Sequence, residues 1–363
     1  MTLQYKPDFT AAKTAWNHYW NKELYQGRPL VLGSSPRAGG YVMNWESDNP
    51  YSLRYYHAVH GLWAEQLRRI ECMFESIVYE AEAIPFWSPD FGPDQCAAFL
   101  GGQLAFSEGS LETNWVHPVV EDWEQFDIHL DWNNPTLQSV QQYARKLAEH
   151  AHGRYLVGTC DFHSNGDTLS ALRSPERLCM DFMDCPELVG RAMSQVRELY
   201  QPVYDAIYEA SGSTSATGTI GWLPFWCEGK FATIQCDFIC MISPAIFREY
   251  IMPALSEEAA FLDRCVYHLD GPGALRHLDQ IVAIPDIDAI QWVPGAGQAP
   301  MHTWLDVLKR IQKAGKGLII YGVGPDEVKL LHRELNPVGV VYEVGTQPKG
   351  VIEDLCKWLK SHT

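Results

Sequence analysis

The segment from Cys265 to Ile281, CVYHLDGPGALRHLDQI, contains the pattern that determines the fold. Its opening apolar run, residues 265–268, has the length and composition of a buried strand. Gly271-Pro272-Gly273 then predicts a sharp turn, and from Ala274 onward the apolar spacing predicts a helix. The segment is therefore one strand–turn–helix unit, with polar residues where the strand ends.

Similar strand–helix units recur along the chain, about eight in all, and no Asn-Gly signal for an antiparallel hairpin separates them. This alternation predicts a parallel sheet with crossover helices. Eight units favour a closed (β/α)8 TIM barrel over a doubly wound sheet, since Gly39-Gly40 does not provide the GxGxxG motif of dinucleotide-binding folds. The other predicted strands are residues 29–33, 76–80, 155–161, 219–226, 289–293, 318–321 and 338–342.

One domain is expected to contain the whole chain. We predict a single α/β barrel over residues 1–363, in which residues 1–27 form an N-terminal helical extension. Residues 85–133 are rich in glycine, proline and aromatic residues, which predicts an elaborated loop with a short β segment.

The composition disfavours several classes of protein. The 28 lysines and arginines against 45 aspartates and glutamates give a formal net charge of −17, which disfavours nucleic acid as a partner. No uninterrupted apolar stretch reaches about 18 residues, so no membrane span is expected. The first residues lack the apolar block of a signal peptide, and the ten cysteines include no CxxC pair. A reducing, cytoplasmic location is therefore expected.

A His-x-Asp pair closes the strand quoted above. His268 and Asp270 lie two residues apart, so their side chains point to the same face of a strand. An imidazole nitrogen and a carboxylate oxygen at this spacing suit a divalent metal ion, and Glu343 at the end of the last strand is the expected third ligand. The alternative is that the pair only forms a hydrogen bond and caps the helix that begins near Ala274.

Three further polar residues are candidates for proton transfer. His163 and Asp161 close another predicted strand, and Glu228 follows the tryptophan-rich segment before the next helix. We expect His163 to deliver a proton to a leaving heteroatom and Asp161 to orient its ring. The alternative for His163 is an ordinary loop histidine, since the chain contains 13 histidines.

The 13 tryptophans exceed what a core of this size needs. Several fall in predicted loops or at strand ends, where flat rings could hold a corrinoid, an aromatic ether, a sugar face or a methylated ammonium group. Packing in the core is the alternative for any single tryptophan. The predicted substrate-binding residues are Trp87, Trp222, Trp226, Trp292, Arg37 and Tyr321.

Four motifs in the C-terminal half of the chain carry a resemblance to a known family: Cys236-Asp237-Phe238, Ile242-Ser243-Pro244-Ala245-Ile246-Phe247-Arg248-Glu249-Tyr250, Pro253-Ala254-Leu255 and His268-Leu269-Asp270-Gly271. With them, the stretch from Phe238 to Gly297 resembles the uroporphyrinogen decarboxylase family, which includes corrinoid-dependent methyltransferases. The resemblance implies a (β/α)8 barrel, covers the C-terminal two thirds of the chain and extends only loosely to the N-terminal part.

In the corrinoid branch of this family, zinc is held by a His-x-Cys pair and a later cysteine. The matching positions here are His268, Asp270 and Glu343, so carboxylates replace both thiolates. The resemblance implies zinc first, and the harder ligands also admit manganese or iron. Pro36-Arg37-Ala38-Gly39-Gly40-Tyr41 is similar to the arginine loop that clamps substrate carboxylates in the decarboxylase branch, but it lacks the second arginine.

These features predict a metal-assisted methyltransferase that moves a methyl group from a small methylated substrate to a corrinoid protein. The corrinoid is implied by the resemblance alone, and a partner must carry it because the chain has no DxHxxG motif. Two alternatives stay open, namely a metal-dependent decarboxylase or lyase of a small carboxylate, and a ligand-binding barrel without catalysis. The sequence also leaves a homodimer open.

Overall fold

The structure is a computed structural model that describes residues 2–107 and 110–363. Its described strands are β1 (Leu30–Pro36), β2 (Ile77–Ala81), β3 (Phe86–Trp87), β4 (Gln103–Ser107), β5 (Ser110–His117), β6 (Leu156–Val157), β7 (Thr219–Ile220), β8 (Trp226–Cys227), β9 (Phe231–Gln235), β10 (Arg264–Asp270), β11 (Ala289–Val293), β12 (Gly317–Ile320) and β13 (Val340–Thr346).

Helices precede, connect and follow these strands. The described α-helices are α1 (Phe9–Trp20), α2 (Trp45–Asp48), α3 (Arg54–Val59), α4 (Trp63–Ser76), α5 (Gln95–Phe99), α6 (Pro135–Ala151), α7 (Gly166–Arg173), α8 (Pro175–Asp184), α9 (Pro186–Ala210), α10 (Pro244–Ile246), α11 (Met252–Phe261), α12 (Leu278–Val282), α13 (Leu305–Lys313), α14 (Pro325–Glu334) and α15 (Val351–His362). Single 3₁₀ segments cover Asp237–Met241, Pro272–His277 and Met301–Trp304, and a π-helical turn covers Phe247–Ile251.

The central sheet is mainly parallel, as the strand–helix alternation predicts. Its seven strands follow the order β2-β1-β13-β12-β11-β10-β9, and each neighbouring pair except β1–β2 is parallel. Helices α11 to α14 connect the consecutive strands from β9 to β13. The molecule is thus an α/β protein whose parallel strands all end at one edge of the sheet, which is where such folds place their ligands.

Antiparallel pairs accompany the parallel strands, although the sequence carries no Asn-Gly hairpin signal. Strand β2 runs antiparallel to β1, and β4–β5 and β7–β8 are antiparallel pairs. The β7–β8 connection turns through Gly221 and Leu223 rather than through Asn-Gly. Because that hairpin occupies residues 219–227, the parallel strand of this region is β9, which the sequence pattern did not reveal.

Helix α1 covers the edge of the sheet where the parallel strands begin. Phe9, Trp16 and Trp20 pack there with residues at the starts of the strands, such as Leu30 and Ala289. The indole of Trp20 also donates a hydrogen bond of 2.8 Å to the carbonyl of Trp226. This edge is therefore filled by side chains, and the opposite edge is left for a cavity.

Among the helices of the described residues, none combines the length and the apolar composition needed to cross a bilayer.

Candidate functional site

A cavity of about 1260 Å³ opens where the parallel strands end. Its lining includes Asp161 and His163 after β6, Trp222 after β7, Asp237 after β9 and Tyr321 after β12. Ligand pockets for small molecules usually measure roughly 300–1,000 Å³, so this cavity has room for a substrate together with part of a larger group.

His163 lies between two carboxylates in the wall of this cavity. Its Nε2 is 3.1 Å from Asp161 Oδ2, and its Nδ1 is 3.0 Å from Asp167 Oδ2. Burial alone would lower the pKa of His163, but the charges and hydrogen bonds of Asp161 and Asp167 outweigh it and hold the pKa well above its usual value. The ring is therefore a protonated acid held in place by both of its nitrogens.

The backbone around His163 adopts conformations that favour glycine. His163 has a φ of 36° and Asn165 a φ of 58°. The Asn165 side chain accepts from the amide of Gly166 at 2.6 Å and donates to the carbonyl of Gln235 at 3.2 Å, and Thr168 Oγ1 donates to the carbonyl of His163 at 2.8 Å. Strained conformations of this kind persist only where surrounding contacts fix them, and they concentrate at functional sites.

The β-sheet register places His268 between two glutamines. On β10, His268 is paired with Gln235 of β9 on one side and with Gln291 of β11 on the other. Its Nδ1 is 2.7 Å from Gln291 Oε1. Because an amide oxygen only accepts, Nδ1 carries the proton, and burial lowers the pKa so that the ring is neutral. Nε2 therefore presents a lone pair, which is the form of histidine that binds a metal ion.

Asp237, His268 and Asp270 form a group whose donor atoms all lie within 4.8 Å of one another. Asp270 Oδ1 is buried and has no hydrogen-bond partner in the described residues. Burial, followed by the negative charge of Asp167, raises the pKa of Asp237 to about 7. A buried carboxylate oxygen without a hydrogen-bond donor is costly, and a cation bound in this group would compensate the negative charge of both aspartates.

A second group consists of His163, Asp167 and Asp237, again with donor atoms within 4.8 Å of one another. Here both nitrogens of His163 already contact carboxylates. This arrangement suits proton transfer better than metal binding, because a protonated imidazole has no lone pair to offer. The two groups share Asp237, so the acid and the candidate metal ligands lie side by side.

Three predicted site residues lie apart from these groups. Glu343 belongs to neither, since its two oxygens accept from the amides of Gly322 at 3.0 Å and Gly345 at 2.8 Å. Glu228 is exposed in the turn that leads into the start of β9, at the opposite edge of the sheet. Arg37 donates to the carbonyl of Ile77 at 2.8 Å and does not line the cavity.

Apart from Arg37, the predicted substrate-binding residues divide between the cavity and the core. Trp222 and Tyr321 line the cavity, and the Trp222 ring lies 5.6 Å from the His268 ring. Trp87, Trp226 and Trp292 are 3%, 1% and 0% exposed and pack in the interior outside the cavity lining.

Sequence reasoning missed Asp167 and Asp237. Asp167 lies four residues after His163, a spacing that could have indicated the contact, because α7 begins between them at Gly166. Asp237 lies two residues after the end of β9, but that strand was expected earlier in the chain. Its position at a strand end, and within one of the motifs of the family resemblance, was the available signal.

Glu258 of α11 contacts the loop that contains His163 and Asn165. Its ionisation should make the free energy of unfolding depend on pH. Ser164 Oγ donates to it at 2.7 Å, and burial raises its pKa to about 8 from a reference of 4.5. The folded state therefore keeps a proton that the unfolded state loses, so this contribution to stability is complete at low pH and disappears as the pH rises through about 8. We expect the free energy of unfolding to fall by up to about 1.4 kcal/mol per pH unit between about pH 5 and pH 8.

The matched test uses Glu258→Gln, which cannot ionise and should lose this slope in urea unfolding. Glu257→Gln is the control, because the hydrogen bond and charge of Arg197 lower the pKa of exposed Glu257, so its charge is constant above about pH 5. Equal slopes for wild type and Glu258→Gln would contradict the assignment of a proton to Glu258.

No protein-family model and no curated protein sequence matches the chain. Among solved structures, it is similar to a methyltransferase from Methanosarcina mazei, with a TM-score of 0.60 and 15% sequence identity. The similarity covers 97% of this chain and 97% of that chain. At this identity the likeness concerns the fold, which the two chains share over nearly their whole length.

Proposed function

We propose that the chain is a metal-assisted methyltransferase of the uroporphyrinogen decarboxylase-like group, which moves a methyl group from a small methylated substrate to a corrinoid protein. The observation that carries this proposal is the group of Asp237, His268 and Asp270 beside the cavity, with Asp270 Oδ1 buried and unpartnered. The fold shared with the Methanosarcina mazei methyltransferase supports it.

We further infer that the sheet closes into a (β/α)8 barrel. Strand β3 pairs with β6 in parallel, which extends the alternation beyond the seven-stranded sheet. After β6, the amide of Thr159 donates to the carbonyl of Ile220 in β7 at 3.0 Å. These links support a continuous run of strands between β2 and β9, the two outermost strands of the seven-stranded sheet. The Ser-Pro start of α10, where Ser243 Oγ accepts from the amide of Ile246, agrees with the motif of the family.

The ligand set that we propose replaces Glu343 with Asp237. One imidazole and two carboxylates form a donor set compatible with zinc, and manganese or iron would also be held. The neutral His268 ring, fixed by Gln291, is oriented with its free nitrogen available. When bound, the metal ion would supply Lewis-acid polarisation of the substrate heteroatom.

The residues of the chain would perform the proton transfer. Breaking the bond between the methyl carbon and a heteroatom leaves its electron pair on the heteroatom, which needs a proton to leave as a neutral alcohol or amine. His163 lines the cavity and is held protonated by Asp161 and Asp167, so it is positioned to deliver that proton. A reduced corrinoid carried by a partner protein would supply the electron pair that accepts the methyl group.

Metal analysis of the purified chain tests the ligand set. We expect about one divalent ion per chain, and His268→Ala or Asp237→Asn should weaken its binding at least about tenfold. Glu343→Gln is the control and should retain the metal, because its partners are backbone amides rather than the donor group. A metal content that is unaffected by His268→Ala would remove the proposed ligand set.

Methyl transfer is tested by supplying cob(I)alamin with 2-methoxyethanol, a methoxyphenol or dimethylamine, and following methylcobalamin by absorbance. Formation of methylcobalamin supports the proposal. Release of carbon dioxide from a small carboxylate, without a methylated product, would favour the decarboxylase alternative. Ligand binding without turnover, even with a corrinoid protein present, would favour a binding barrel.

A further inference from the structure

Acidic residues outnumber basic residues in the lining of the cavity. Its described lining contains five aspartates against one arginine and one histidine; the aspartates are Asp90, Asp94, Asp161, Asp167 and Asp237. Arg54 is matched by Asp90, whose Oδ2 lies 2.8 Å from the guanidinium. His163 is matched by Asp161 and Asp167. A substrate carboxylate entering this cavity would therefore meet no uncompensated positive charge among the described lining residues.

Asp94 is the carboxylate of this wall that has neither a basic partner nor a place in the metal-ligand group. Its Oδ2 accepts from the amide of Val116 at 2.8 Å, and no other hydrogen bond to it is present in the described residues. Burial raises its pKa and outweighs the hydrogen bond from the Val116 amide and the charge of His163, which both lower it. A ligand cation beside Asp94 would compensate the charge that these two leave.

Aromatic rings line the same cavity. Trp115 directly precedes Val116, the residue that holds Asp94, and its side chain is 57% exposed although it lines the cavity. Trp45 of α2 also lines the cavity and is 60% exposed. Tryptophan faces are the best side-chain partners for an organic cation, and carboxylates combined with indole rings form the usual cages for methylated ammonium groups.

We propose that Asp94, Trp115 and Trp45 bind a positively charged ammonium group of the substrate. The inference rests on the proposed function, since the methylated heteroatom of the same molecule would then lie toward His163 and the metal ligands. The substrate class is a small molecule that carries both an organic cation and a methylated oxygen or nitrogen. Asp94 thus acts in recognition, separately from the residues that would move the proton.

The test compares three molecules of nearly the same shape and different charge. Isothermal titration calorimetry of the full chain at 0.15 M salt measures binding of choline, of its uncharged carbon analogue 3,3-dimethyl-1-butanol, and of 3,3-dimethylbutanoate. We expect choline to bind about tenfold more tightly than the neutral analogue, because cation–π and charge interactions are added to the same apolar contact. The carboxylate should bind most weakly.

Two variants test whether the preference for choline arises from Asp94 and Trp115. Asp94→Asn retains an oxygen for the amide of Val116, and it should reduce choline affinity about tenfold while leaving the neutral analogue within about twofold. Trp115→Leu should likewise weaken choline more than the neutral analogue. Asp306→Asn is the control, since Asp306 is exposed at the start of α13 and outside the cavity lining.

Equal affinity for choline and the neutral analogue, tighter binding of the carboxylate, or an unchanged preference in Asp94→Asn would each overturn the inference. Equilibrium binding requires neither corrinoid nor turnover. Failure of the cation preference therefore leaves the metal and methyl-transfer measurements to decide the proposed function on their own. Conversely, a chain that lacks the metal but prefers choline would keep the ammonium subsite and lose the methyltransferase.

Discussion

Replacement of His163 by asparagine is expected to reduce methyl transfer to cob(I)alamin by about 10²- to 10⁴-fold, the usual contribution of a positioned general acid. The reason is geometric, since His163 lines the cavity and contacts carboxylates through both ring nitrogens at 3.0–3.1 Å. Asparagine is chosen because it tolerates a positive φ better than most residues, and His163 has a φ of 36°. The variant should therefore fold, and added imidazole should restore part of the rate.

The measurement uses whichever methyl donor reacts fastest with the wild-type chain, under single-turnover conditions. His302→Asn is the matched control, because His302 also contacts a carboxylate, Glu327 at 2.9 Å, but does not line the cavity. We expect that control to keep the wild-type rate. If His163→Asn retains a rate within about threefold of wild type, the proton does not come from His163.

The largest effect on stability is expected for Trp226→Ala, at about 3–5 kcal/mol of the free energy of unfolding. Trp226 is 1% exposed, and its indole donates to the carbonyl of Thr217 at 2.9 Å. Gly218 packs so closely on the ring that a Cβ there would lie 2.4 Å from it. The substitution thus leaves a cavity at the end of the sheet that α1 covers, and the half-buried Thr217 carbonyl loses its donor.

Urea unfolding with the m value checked for two-state behaviour measures this loss. Trp132→Ala is the control, since Trp132 is half exposed and should change stability by less than about 0.5 kcal/mol. A small effect for Trp226→Ala would contradict its assignment to the core and would reopen the prediction that it binds substrate.

The sequence predicted the parallel units around β10 well, because alternation of buried strands and amphipathic helices reports burial directly. The alternation could not indicate the direction of a strand or its register with the neighbouring strands. The reversed strand β2 and the β7–β8 hairpin have ordinary strand composition, so their antiparallel pairing follows only from the folded chain. The positions of Gln235 and Gln291 beside His268 depend on register in the same way.

The candidate site was predictable where its residues lie at or soon after a strand end: His268 and Asp270 are in the last part of β10, and Asp161 and His163 follow β6. Glu343 was expected at a strand end but lies within β13, where its oxygens accept from the amides of Gly322, after β12, and of Gly345, a local arrangement that spacing does not reveal. The tryptophans were ambiguous for a different reason. A large ring with one polar atom suits a pocket wall and a core equally, and only three-dimensional neighbours distinguish Trp222 from Trp226.

Helix α1 packs at the end of the sheet where the strands begin, and the cavity opens at the opposite end, where the strands finish. A corrinoid protein that docks on that opening would trap whatever the pocket already contains. The proposed reaction would therefore be compulsorily ordered, with the methyl donor entering before the corrinoid protein and the demethylated product leaving after it. Product should then compete with the methyl donor for the free enzyme, and excess corrinoid protein should inhibit by closing an empty pocket.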